Sequence, residues 1–190
     1  RQKQSIRVIQ AWDREFVRTA EVISASRQDY CSFLKGQLDH VLDVLDLEGE
    51  FGISFRKGWL GDLGEALNQN VESDMKRGFT QIGSHRDDLI LKLDGRSLGN
   101  EGSRGQIKLA AFALKVLQAR FGQTNDVNRA FIIDDLPSEF DEGRLEQAVK
   151  AAKMTGAQLF VSSINTDISE FFSNGDEKMF HVKQGQIEPL

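Results

Sequence analysis

The sequence predicts an α/β fold, a sheet with flanking helices joined to a long helical arm, and three observations carry that prediction. Residues Ser5 to Leu45 hold no proline and one internal glycine, Gly36, and repeat apolar side chains at three- and four-residue steps. An apolar run, Ala130-Phe-Ile-Ile133, ends in adjacent carboxylates, as strands of parallel sheets do where they meet a ligand. Between them, Ser103-Arg-Gly-Gln106 leads into a helix-period run that reaches Arg120.

In chain order, Ile9, Trp12, Phe16, Ile23, Tyr30, Leu34, Leu38, Val41 and Leu45 form a stripe expected to bury against partner helices. The opposite side carries Arg7, Arg14, Arg18, Arg27 and Lys35 among acidic residues. A solvated helix face explains these better than a phosphate-backbone surface does. Glu48-Gly49 ends the helix, and Phe51, Ile53 and Phe55 alternate as a half-buried strand. Gly58-Trp59 marks a turn with an aromatic core plug. Leu63 to Met75 reads as a second helix with Gly78 just past its end.

Gly83-Ser-His-Arg-Asp-Asp88 then crowds small, basic and acidic groups before the strand Leu89–Leu93 and the hairpin dipeptide Asp94-Gly95. One histidine beside two acids points to loop hydrogen bonding rather than to a metal site. His85-Arg86 has three open uses: positioning a neighbouring loop, contacting DNA, or closing the core.

Ser103 is placed as an N-cap, with Gln106 completing a capping box. A helix that starts this way aims free N–H groups, a hydroxyl and a guanidinium outward from its positive end, which suits phosphate. After Ile133 come two adjacent carboxylates, Asp134 and Asp135: one can hold Mg²⁺, directly or through water, and its neighbour can orient or deprotonate an attacking water. Glu142 to Met154 reads as a helix, and Gln158 to Ser163 as a parallel strand whose last residues, Ser162 and Ser163, would lie beside the carboxylates. A short helix at Ile168–Phe172, a strand at Lys178–Lys183 and a turn at Gln184-Gly185 finish the chain.

The 190 residues carry a net charge of −5, with a pI near 5.3, so the whole chain does not demand a nucleic-acid partner, although a local basic patch is compatible with it. A single cysteine, Cys31, excludes an intramolecular disulfide framework and fits a reducing, cytoplasmic compartment. No apolar run reaches membrane-spanning length. Because the chain starts at Arg1 with helical character, it reads as the C-terminal part of a longer protein.

Each motif alone is weak, but their order is specific. Ser103-Arg-Gly-Gln106 and Ile132-Ile-Asp-Asp135, joined by a helix, are similar to the signature and Walker-B elements of an ABC-type ATPase head. With Gly58-Trp59, Gly78-Phe-Thr80, Gly83-Ser-His-Arg-Asp-Asp88, Lys108 and Ser138-Glu-Phe-Asp141, the chain resembles the RecF family along essentially its whole length. That resemblance implies an ABC/SMC-like ATPase, with residues 1–77 the C-terminal part of its arm and 78–190 the C-terminal part of its ATPase lobe. It implies ATP and Mg²⁺ as cofactors, and an ATP-dependent homodimer. It also implies DNA with single-strand/double-strand junctions as ligand, with RecO and RecR as partners in loading RecA during recombinational repair, replication restart and the SOS response, at the bacterial nucleoid.

By the same resemblance Asp134 is the Walker-B aspartate on Mg²⁺ and Asp135 stands at the catalytic position. Ser103, Arg104, Gly105 and Gln106 contact the γ-phosphate of ATP held by the other subunit. Ser138 and Asp141 belong to the loop that crosses the dimer interface, and Ser162 and Ser163 fall near the switch position, where no histidine stands. Ser84 replaces a usual proline, and Gly102 a usual leucine, which is expected to loosen the start of the following helix. An aspartate at the catalytic position, one methylene shorter than glutamate, implies slow hydrolysis, as in a switch. No Gly-x-x-x-x-Gly-Lys-[Ser/Thr] loop occurs in the 190 residues. The chain alone is therefore expected neither to bind ATP tightly nor to hydrolyse it. Two other classes remain: an SMC-like head with a chromosome or defence role, and a non-catalytic interaction module. The short arm argues against a long coiled-coil spoke.

Overall fold

The structure, a computed structural model, describes residues 2–121, 129–164, 166–172 and 177–189, with side chains for all of these except 2–5, 166 and 167. Arg1 and Leu190 lie outside the described residues. The chain divides into two compact units, Arg1–Asp39 with Gly49–Ile107, and His40–Glu48 with Lys108–Leu190. No helix among the described residues is long and apolar enough to cross a membrane.

The proline-free stretch forms α1, Gln2–Val44. Its stripe is buried only toward the end: Leu34, Leu38, Val41 and Leu45 are inside, whereas Ile9 and Ile23 are exposed and Trp12 is 72% exposed. In the first unit α1 buries Ala20, with Phe16 of the stripe and Val17 half-buried beside it, against Trp59, Leu63, Leu67 and the half-buried Ile82. Trp59 is thus the expected core plug.

β1 (Phe51–Arg56) is followed by α2 (Leu63–Arg77). Asp62 caps α2 by accepting from the Glu65 N–H at 2.8 Å, and Gly78 closes it in the left-handed conformation with φ 80°. A 3₁₀ turn, Ser84–Arg86, leads into β2 (Asp88–Leu93). β1 and β2 pair antiparallel from Phe51↔Leu93 to Arg56↔Asp88, and β3 (Arg96–Ser97) folds back on β2. The two-residue loop Asp94-Gly95 has φ of 50° and 77°, the pair of positive values that a type I′ hairpin requires. The short α3 (Leu98–Glu101) precedes α4 (Arg104–Arg120).

In the second unit β4 (Ala130–Ile133) and β5 (Gln158–Val161) pair in parallel, Ala130↔Gln158 to Ile133↔Val161. α5 (Leu136–Glu139) and α6 (Glu142–Lys153) make the crossover. The α6 face expected to point inward, Leu145, Ala148, Val149 and Ala152, is buried, as are Leu109, Ala113, Val116 and Leu117 of α4. β4 differs from its expectation of burial on both faces. Ile132 is 75% exposed and Phe160 on β5 is 50% exposed, because this sheet has two strands among the described residues and one face of it is uncovered. A 3₁₀ segment, Thr166–Phe172, precedes the exposed hairpin of β6 (Phe180–Lys183) and β7 (Gln186–Pro189), which turns at Gln184-Gly185.

Candidate functional site

Two groups of side chains make up the candidate site residues, one in each unit. In the first unit, the start of α4 is a complete capping box. The Gln106 N–H donates to Ser103 Oγ at 3.2 Å, and the Ser103 N–H donates to Gln106 Oε1 at 2.9 Å. The reciprocal bonds use two of the donors that a helix start leaves over, while Arg104 and Gly105, at the first helical positions, have no intrahelical acceptor for their N–H groups. Both residues are exposed, and Gly105 leaves the approach to those groups open: a Cβ there would meet nothing nearer than Ser103 Oγ at 4.0 Å. The arrangement offers backbone donors and a guanidinium to an anion.

Gly102 does not loosen this start. Its N–H donates to Leu98 O at 2.9 Å, and a Cβ at this position would lie 2.8 Å from Leu98 Cδ1 and 3.2 Å from Ile107 Cγ1. The chain comes too close here for a side chain, so glycine tightens the junction of α3 and α4.

In the second unit, the carboxyl end of β4 brings together Asp134, Asp135, Ser138 and Ser162. Parallel pairing places Ser162, one residue past β5, level with the end of β4: its N–H donates to Ile133 O at 3.0 Å. The Ser162 hydroxyl donates to Asp134 Oδ1 at 2.5 Å and accepts from the Asp135 N–H at 2.8 Å. One hydroxyl therefore fixes both carboxylate-bearing residues. Ser163, beside it, is half-buried.

Asp135 takes φ 48° and ψ 51°, left-handed backbone that few non-glycine residues adopt and that aspartate tolerates better than most. That reversal starts α5, where Ser138 Oγ and its N–H both donate to Asp135 O, at 2.9 and 3.0 Å. Asp141 caps α6 by accepting from the Arg144 N–H at 3.0 Å. Nearby, Lys108 pairs with Glu139 at 2.9 Å and Phe112 meets Phe140 edge-on.

The donor set fits Mg²⁺ in kind. Mg²⁺ takes one or two carboxylates together with phosphate oxygens and water, not an all-protein cage. Asp134 is exposed and its Oδ2 is not engaged by Ser162, and no cluster of three or more His, Cys, Asp or Glu occurs among the described residues.

Sequence reasoning did not foresee the helix α5 or the left-handed Asp135. The signal available was Pro137 early in Leu136-Pro-Ser-Glu139, a position that proline favours in a first turn. It also left Asp87 as ordinary loop bonding. That carboxylate is buried, its side chain 1% exposed, and accepts from Ser24 Oγ at 2.8 Å, Arg27 Nη1 at 3.0 Å and the Gly58 N–H at 2.8 Å.

No family model matches the chain. Among curated proteins it is 39% identical over 189 residues to the DNA replication and repair protein RecF of Pseudoalteromonas translucida, covering 94% of this chain and 51% of that protein. It is 36% identical over 185 residues to the RecF of Vibrio atlanticus, covering 96% and 52%, and 34% identical over 183 residues to that of Shewanella woodyi, covering 94% and 50%. Among solved structures it matches the recombination mediator protein RecF with ATP in the RecFOR pathway, with a TM-score of 0.75, 21% identity, and coverage of 96% of this chain and 50% of that one. The ATPrS form of that protein matches with a TM-score of 0.69 and 19% identity. At these identities the structural likeness shows a shared fold, an α/β arrangement of the RecF type, and nothing more. The chain spans about half the length of the curated relatives it matches, and over that half it belongs to the RecF family of DNA replication and repair proteins.

Proposed function

We infer that this chain supplies the signature and Walker-B half of an ATP-dependent, DNA-binding recombination mediator. Residues 1–77 then form the C-terminal part of its arm and 78–190 the C-terminal part of its ATPase lobe. One observation carries the reading: the Ser162 hydroxyl fixes Asp134 and Asp135 together at the carboxyl end of a parallel strand. That is where open α/β sheets bind ligands.

In this reading Asp134 holds Mg²⁺, which supplies charge neutralisation for the β- and γ-phosphates of ATP. Asp135 takes the proton of the attacking water or orients it, from its left-handed backbone position at the end of the strand. Ser103, Arg104, Gly105 and Gln106 offer their donors to the γ-phosphate of ATP on a second subunit. Ser138 and Asp141 order the loop between, at the dimer interface, and Ser162 and Ser163 stand at the switch position. The Gly-x-x-x-x-Gly-Lys loop comes from the part of the relatives' length that this chain does not span. The exposed apolar face of β4 and β5, with Ile132 and Phe160, suits a layer packed over the sheet by that part.

The protein would act in the cytoplasm on gapped DNA or single-strand/double-strand junctions. There it helps RecO and RecR type partners to load RecA.

The test is ATP-dependent dimerisation of the protein at its relatives' full length, comparing wild type with Ser103→Arg and Asp135→Asn. Loss of dimers in the first and persistence of ATP-bound dimers in the second are expected. Dimers indifferent to both changes would remove the composite site.

A further inference from the structure

We propose that Lys57, Arg86 and Arg27, gathered around the buried carboxylate of Asp87, form a binding surface for the DNA phosphate backbone. The proposal deepens the DNA-binding reading above and rests on it.

The surface is built from three places in the chain. Arg27 of α1 donates from Nη1 to Asp87 Oδ2 at 3.0 Å and to Ser84 O, while its side chain stays 48% exposed. Ser84 and Asp87 flank the turn that carries His85 and Arg86, both of which are exposed. Gly58 lies so close to that turn that a Cβ there would come within 2.8 Å of Arg86 Cβ, which sets Lys57, the residue before it, at the same junction. The Gly58 N–H also donates to Asp87 Oδ1 at 2.8 Å, so one carboxylate joins α1, the β1 end and the turn.

Two of these cations, Lys57 and Arg86, have no carboxylate partner among the described residues, while Arg27 is paired with Asp87 and stays about half exposed. Lys57 Nζ sits 4.0 Å above the ring of Trp59, a buried indole, so a cation–π contact rather than a carboxylate orients it. Arg86 has no carboxylate within ion-pair distance among the described residues. The acids of the cluster are already engaged: Asp87 is buried beneath Arg27, and Asp88 pairs with Arg56 at 2.7 Å. On a chain with net charge −5, such a local surplus of fixed positive charge stands out from its surroundings. His85 is anchored to the same turn, with Nε2 2.9 Å from Thr80 O and its ring edge-on to Phe16.

Partner chemistry follows from the sign of the charges and from the three separate places in the chain that supply them. Separate cations on a braced turn suit a chain of phosphates, each neutralised singly with release of its counterions. Because the Asp87 network fixes the backbone beforehand, little ordering is left to occur on binding.

The experiment measures binding of a gapped duplex oligonucleotide to the full-length protein with ATP, by fluorescence anisotropy across a salt series. Wild type is compared with the double variant Lys57→Gln, Arg86→Gln, which keeps side-chain bulk at two exposed positions, and with Asp87→Asn. The double variant is expected to keep its melting temperature. Its plot of log affinity against log salt should be shallower by about 2, one for each phosphate that is no longer neutralised. Asp87→Asn removes a negative charge, so charge counting alone predicts tighter binding. A positioned surface predicts weaker binding, since Arg27 loses its anchor. An unchanged salt slope in the double variant, or tighter binding by Asp87→Asn, overturns the proposal. Absence of DNA binding by wild type would instead remove the functional reading on which it rests.

Discussion

Asp135 shows how much a single residue can be asked to do. It carries a carboxylate where chemistry is proposed, and its backbone makes the left-handed reversal that starts α5. Aspartate and asparagine tolerate that region, whereas a β-branched residue there is strained by about 1–3 kcal/mol. Asp135→Asn is therefore expected to leave unfolding stability within about 0.5 kcal/mol of wild type. Asp135→Val should lose at least about 1 kcal/mol. Urea unfolding of both separates the backbone role from the chemical one. Ser162 holds Asp134 and the Asp135 N–H together, and Ser162→Ala should cost about 1 kcal/mol through the hydrogen bonds it removes. Cys31 offers a simpler check. It is 6% exposed and burial pushes its thiol up, with Lys35 opposing, so little thiolate is present near neutral pH. Alkylation by iodoacetamide should be slow in the native protein and rapid in denaturant; equal rates would show that α1 is open around it.

At the scale of elements, α4 was legible in advance because its determinants are local. A capping box needs residues three apart, and Ser103 and Gln106 meet with both reciprocal bonds. The Asp94-Gly95 hairpin and the Gly78 cap were legible for the same reason, each set by one or two residues with positive φ. Gly102 was not. Its tightness comes from Leu98 and Ile107 on the two helices it joins, and no sequence rule reports that closeness. Replacing it by the leucine usual in the resembled family is expected to destabilise by about 1–3 kcal/mol, through overpacking, measured by chemical unfolding. A neutral Gly102→Leu would mean that α3 shifts to make room. The first half of α1 is a further case: of the stripe named there by heptad-like spacing only Phe16 joins the core, half-buried with Val17 beside the buried Ala20, as set by where Trp59 and Leu63 stand. Trp12 and Ile9 were left outside.

For the whole molecule, the decisive fact is that the chain spans about half the length of its relatives. A parallel sheet wants cover on both faces, and here Ile132 and Phe160 have none on one side. The chain by itself is expected to show no ATP turnover above background in a phosphate-release assay, and turnover should appear when the remaining length is restored. Turnover by the 190-residue chain would break the composite-site reading.

The sequence by itself determined the longer helices α1, α2, α4 and α6, the Ser103 and Gly78 caps, the Asp94-Gly95 and Gln184-Gly185 turns and the ordered motifs that place the chain in its family, because each depends on neighbours a few residues apart. It also marked Asp134, Asp135, Ser162 and Ser163 as companions once the two strands were taken as adjacent. Tertiary structure alone decided that one hydroxyl would serve both aspartates, that Asp135 would turn left-handed, and that Asp87 would be a buried junction. Those outcomes depend on pairings across 28 residues between Asp134 and Ser162 and 63 between Ser24 and Asp87. Local periodicity carries no record of partners at such separations, since only packing fixes which groups meet.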